Sequence, residues 1–148
     1  MDSVKSKMNN LIDSMKEQLF EMGDAIYDHP EIGLQEVFAS KLLEDWLENH
    51  GFLVERGLGS MPTAFRAVYE QGTGGPSIGL LTEYDALAGI GHACGHHLQG
   101  PCILAAANAV LRAGIEKPFK LVVYGTPAEE TLGGKSIWFR KDIFGILM

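Results

Sequence analysis

Two short stretches concentrate the side chains able to do chemistry. One runs Glu83-Tyr84-Asp85 and continues into His92-Ala93-Cys94-Gly95-His96-His97; the other is Gly125-Thr126-Pro127-Ala128-Glu129-Glu130. Together they bring a thiol, imidazoles and carboxylates, the donors that a borderline-soft divalent ion takes. Cys94 and His96 stand two apart with Gly95 between them, and a glycine lets a tight loop aim both side chains at one ion. Glu129 and Glu130, read as neighbours on extended backbone, point different ways, so that one holds metal while the other faces a bound water. A metal lowers the pKa of its water towards neutrality, and a nearby carboxylate takes the proton as hydroxide attacks a carbonyl. The pattern is that of a hydrolase.

Plainer uses compete with this one. A lone cysteine is commonly an inert buried thiol, but three histidines around Cys94 argue for a ligand. Cys102 falls in an apolar stretch and reads as core. His50 reads as a contact to a helix C-terminus, and His29, before Pro30, as structural. A Glu-Glu pair is ordinarily solvated surface; at the end of an apolar strand it is less easily dismissed.

The elements that must position these residues follow from periodicity. Val4, Met8, Leu11, Ile12, Met15, Leu19, Met22 and Ile26 recur at steps of three and four, which predicts a long amphipathic helix. Pro30 should stop it, because the residue before proline is pushed out of the helical region. A second helix is expected over 35–50, with Val37, Leu42, Leu43, Trp46 and Leu47 inward and Gly51 at its C-terminal cap. Residues 52–55 and 63–69 read as strands, 71–76 as a turn, and 77–82 as a short buried strand. A buried helix is expected over 101–113 and a further strand over 119–124. Helices followed by strands that alternate with a helix indicate α/β with a mixed, partly parallel sheet. Both reactive stretches then leave the carboxyl ends of strands, where open α/β sheets place their ligands.

Length and charge narrow the function classes. The chain has 148 residues, 46% of them hydrophobic and 21% charged, enough apolar side chain for one real core and too much for a disordered chain. A formal charge of −7 argues against general nucleic-acid binding, which needs a basic face. No stretch approaches the length of a membrane span, and the first twenty residues lack a signal peptide's apolar centre, so the expected location is cytoplasmic. Two cysteines eight positions apart make no disulfide framework.

His92-Ala93-Cys94-Gly95-His96 followed by Gly125-Thr126-Pro127-Ala128-Glu129-Glu130 resembles the M20 metallopeptidases, specifically their amidohydrolase branch. Asp28-His29-Pro30-Glu31-Ile32-Gly33 is similar to that branch's His-Pro-Glu-x-Gly signature, and Glu83-Tyr84-Asp85-Ala86-Leu87 to its p-aminobenzoyl-glutamate hydrolase and dipeptidase-like subgroup. The resemblance implies a zinc-peptidase-like catalytic domain, with Cys94, His96 and Glu130 as metal ligands. It implies Glu129 as the general base and Asp85 as a support behind the metal site. It further implies zinc or manganese, two ions in the full-length enzyme, and an N-acyl or N-aroyl amino acid or small dipeptide as substrate. Glu83 stands where other branches place a metal-binding histidine and has little weight as a ligand. His97, Ala88 and Thr131-Leu132 depart from the branch's usual residues; His97 either adds a ligand or perturbs the loop.

Relatives of this kind carry two more metal-binding histidines and a lid domain that usually mediates dimerisation, whereas no histidine follows His97 here. The expectation is therefore a partial catalytic domain over 1–148, ending in an interrupted apolar element over 144–148, with any homodimer formed through the lid. The alternative function is a catalytically incomplete metal-binding or interaction fragment of the same fold. A purely structural α/β protein is disfavoured by the order of the motifs.

Overall fold

The computed structural model describes residues 2–140; the apolar tail 144–148 lies outside the described residues. Helix α1 (Asp2–Asp28) buries Leu19, Met22 and Ile26 from its apolar stripe. It stops ahead of Pro30 as expected, with the His29 ring Nδ1 2.8 Å from the Ala25 carbonyl. Helix α2 (Val37–Asn49) buries Leu43, Trp46 and Leu47. Its first exposed amides are satisfied from a distance, since the Glu31 carboxylate accepts the N–H groups of Phe38 and Ala39 at 2.9 and 3.0 Å. A carboxylate there also complements the helix dipole. Val37, expected inward, is 63% exposed, because the opening turn of α2 turns Ala39 and Ser40 inward instead. Gly51 takes the left-handed φ of 95° that closes the helix, and His50 returns its Nδ1 to the Trp46 carbonyl at 2.7 Å.

Four strands follow: β1 (Leu53–Arg56), β2 (Phe65–Gln71), β3 (Ser77–Thr82) and β4 (Phe119–Gly125). Their order in the sheet is β1-β2-β4-β3, with β1/β2 and β2/β4 antiparallel and β3/β4 parallel. A parallel pair needs a crossover, and helix α3 (His96–Arg112) supplies it. Ile26, Leu43, Leu47, Leu104 and Ala107 from the helices meet Phe65, Ala67, Leu121 and Val123 from the sheet in one apolar core. The mixed α/β architecture is the one expected. Two short helices, α4 (Glu129–Leu132) and α5 (Gly134–Arg140), close the described chain. Among the described residues, no helix is long and apolar enough to cross a membrane.

Three expectations are corrected. Strand β3 is not buried among the described residues: Ile78 and Leu81 are 46% and 39% exposed, because in that set β3 stands at the end of the sheet order beside β4. Helix α3 begins at His96 rather than at Pro101, which lies inside it; the left-handed turn at Gly95, φ 84°, starts the helix earlier than the proline does. Cys102 is exposed, since the helix turns Leu104 and Ala107 inward.

Candidate metal centre

Because β3 and β4 are parallel and paired as far as Thr82 opposite Gly125, the segments that follow them leave the same edge side by side. Thr126 fastens them, donating its N–H and its hydroxyl to the Thr82 carbonyl at 2.8 and 3.1 Å. Tyr84 is fully buried and donates its hydroxyl to the Thr63 carbonyl at 2.5 Å. Asp85 beside it is held below the surface, its side chain 0% exposed. The start of α3 then lifts His96 into the same space.

Ligand atoms of His96, Glu129 and Glu130 all lie within 4.8 Å of one another. His96 Nε2 is 3.7 Å from Glu130 Oε1 and 3.2 Å from Glu83 Oε2. On the other side of the ring, Nδ1 is 3.2 Å from Asp85 Oδ1, and Asp85 Oδ2 accepts the backbone N–H of Glu130 at 2.9 Å. Gln99 holds Glu83 from α3: its amide donates to Glu83 Oε2 at 3.3 Å and its oxygen accepts the Glu83 N–H. The ammonium of Lys135 on α5 contacts Glu83 Oε1, and burial pulls the Lys135 pKa down from its ordinary value.

The two glutamates do not sit on extended backbone. They form the first turn of α4, so both carboxylates share a rim with His96 instead of opposing one another. Ahead of them Ala128 adopts a left-handed φ of 57°, a sparsely populated conformation for a residue with a Cβ, which persists only when the surroundings enforce it. Enforcement comes from Glu36, fully buried, whose carboxylate accepts the Ala128 N–H at 2.8 Å and the Thr63 hydroxyl at 2.7 Å. Burial pushes the Glu36 carboxyl pKa up, and these hydrogen bonds draw it partly back.

The structure thus brings His96, Glu129 and Glu130 together, with Asp85 behind them. Cys94 is exposed and stands outside the three-residue group. Its thiol nonetheless adjoins Glu130, and the hydrogen bond to that carboxylate raises the thiol pKa. His97 turns the other way, its ring 5.1 Å from Tyr27 and 5.3 Å from His92. Burial lowers the pKa of both histidines. Three positioning groups are not found by reading the sequence, Glu36, Gln99 and Lys135, and no spacing signals them; Glu83, given little weight as a ligand from the sequence, lies directly after β3 and beside His96. One imidazole and two carboxylates, with the imidazole held from behind by a third carboxylate, suit a divalent ion chemically.

No family model matches the chain. It is 34% identical, over 97% of its length, to a subunit of the p-aminobenzoyl-glutamate hydrolase of Escherichia coli K12, and 38% identical, over 91%, to human Xaa-Arg dipeptidase. A Bacillus subtilis dinuclear metal-binding peptidase from the M20 family superposes with a TM-score of 0.75 at 24% identity, over 88% of this chain and 40% of that one. An aminobenzoyl-glutamate utilization protein from Klebsiella pneumoniae gives 0.65 at 16% identity, over 84% and 40%. Sequence and fold agree with the motifs in supporting an M20 amidohydrolase fragment. It spans about a third of the curated relatives it matches, 34% of the bacterial hydrolase and 35% of the dipeptidase.

Proposed function

We propose that this chain supplies the metal-binding and proton-transfer groups of an amidohydrolase that cleaves the amide bond of an N-acyl or N-aroyl amino acid or a small dipeptide. The observation that carries the reading is the convergence of His96, Glu129 and Glu130 at the paired ends of β3 and β4. The names of the relatives point to the substrate class: a p-aminobenzoyl-glutamate hydrolase, an Xaa-Arg dipeptidase and a hippurate hydrolase.

In this reading His96, Glu130 and Cys94 hold a divalent ion, zinc or manganese. When bound, such an ion makes water acidic enough to ionise near neutrality and polarises a carbonyl oxygen. With the proton on His96 Nδ1, Asp85 Oδ1 and the Asp85 carbonyl accept it, and the Nε2 lone pair would be free for the ion. By its other oxygen Asp85 holds the Glu130 backbone, so one buried carboxylate sets two ligands. Glu129 takes the proton of the attacking water and delivers it to the leaving nitrogen, yielding a carboxylic acid and an amine.

The test is turnover of p-aminobenzoyl-glutamate, benzoyl-glycine and an arginine-ended dipeptide with zinc or manganese added. Glu129→Gln should abolish hydrolysis while metal uptake stays. Metal uptake by the unsubstituted chain without any turnover would favour the second reading, a metal-binding fragment, which the one-third coverage of the relatives supports. Absence of metal uptake would overturn both.

A further inference from the structure

Glu83 is nearly enclosed, its side chain 12% exposed, and its two oxygens face different partners. Oε2 meets His96 Nε2 at 3.2 Å and the Gln99 amide at 3.3 Å. Oε1 is taken by the Lys135 ammonium. Lys135 is not on a loose segment. Gly133 turns the chain with a left-handed φ of 57°, the Gly134 N–H donates to the Ala128 carbonyl at 3.2 Å and the Ser136 N–H to the Gly133 carbonyl at 2.7 Å. Those bonds tie the start of α5 to the same Ala128 that precedes the two glutamates. The ammonium is therefore built into the rim of the centre.

Resting on the proposed function, we propose that Lys135 occupies the place of a second cation, so that the centre takes one divalent ion readily and a second only by displacing the ammonium from Glu83. Two cations contending for one carboxylate oxygen repel one another, and a partly buried site screens that repulsion poorly. The Gln99 amide donates to the other oxygen, Oε2, at 3.3 Å, which resists a swing of the Glu83 carboxylate towards a second ion. The Bacillus subtilis neighbour is a dinuclear metal-binding protein; in this chain the second charge is supplied by the protein itself.

Calorimetric titration of the metal-free full chain with zinc, and separately with manganese, tests this. The unsubstituted chain should take one ion tightly and any second at least tenfold more weakly. Lys135→Gln and Lys135→Met should each strengthen the second binding event tenfold or more, while Lys135→Arg should keep the original profile. Circular dichroism of each variant confirms that it is folded. Two ions of equal affinity in the unsubstituted chain, or identical titrations with and without Lys135, would overturn the inference and leave the proposed function standing. Undiminished uptake in His96→Ala would instead remove the centre itself, and both readings with it.

Discussion

Asp85 and Glu130, which leave the ends of two different strands, are joined by a hydrogen bond of 2.9 Å from the Glu130 backbone N–H to Asp85 Oδ2. The other oxygen of the same carboxylate lies 3.2 Å from His96 Nδ1. Asp85 thus spans the two halves of the centre. Asp85→Ala should cost about 1–3 kcal/mol of stability, since it leaves the part-buried Glu130 amide without its acceptor and the His96 Nδ1 with the Asp85 backbone carbonyl at 3.2 Å alone. It should also weaken metal binding by about 10–100-fold. Thermal melts and metal titrations check the two effects separately; unaltered affinity would mean that Asp85 serves the fold alone.

Glu36 gives a pH dependence whose sign is fixed. Burial raises its folded pKa above the ordinary 4.5. The stability it contributes is then fully present below that value and is lost as pH rises through the raised pKa. Glu36→Gln stays neutral throughout and keeps an oxygen able to accept the Ala128 N–H. The difference in melting temperature between variant and parent should therefore grow in the variant's favour from acid towards neutral pH. Parallel curves would show that Glu36 keeps its ordinary titration.

Gly33 packs against the turn that carries the two adjacent glutamates. A Cβ at this position would lie 2.9 Å from Ala128 Cα and 2.8 Å from Ala128 Cβ, closer than real side chains approach. Gly33→Ala should push the Ala128–Glu130 turn away from Asp85, at about 1–3 kcal/mol in stability, and lower metal affinity without removing a ligand. Denaturant unfolding beside a metal titration measures both; an undiminished stability, or intact binding, would count against the prediction.

Cys94 can be tested by spectroscopy. If its thiol ligates, cobalt bound to the chain will show a thiolate charge-transfer band in the near ultraviolet, and Cys94→Ser will abolish it while His96 and Glu130 still retain the ion. An unchanged spectrum in Cys94→Ser would place the thiol outside the coordination sphere, where the three-residue grouping already leaves it.

The legible parts of the sequence are those governed by local pattern. The stripe from Val4 to Ile26 and the stop at Pro30 define α1, and Gly51 ends α2 as its type requires. His96, Glu129 and Glu130 are legible as donors because each closely follows an apolar strand or a glycine turn. What local pattern does not encode is neighbourhood. An apolar run such as Ser77–Thr82 reads alike at the edge or centre of a sheet, and only strand order leaves Ile78 exposed. Pro101 reads as a helix start because proline is welcome in a first turn, yet Gly95 has already begun the helix. Glu36 reaches Ala128 across 92 positions of chain, and Lys135 meets Glu83 only once α5 has docked. Contacts of that range have no signature in spacing.

The parallel pairing of β3 with β4 has a kinetic consequence. Those strands meet only after α3 has carried the chain back across the sheet, so a long loop must close before the pairing rewards it. Until then Asp85 and Glu130 are independent points on a polymer, and the donors exist without the centre. A divalent ion held between His96 and Glu130 would act as a removable crosslink between the segments that follow β3 and β4. It selects the native ensemble by mass action, adding about 1.4 kcal/mol for each tenfold excess over its dissociation constant.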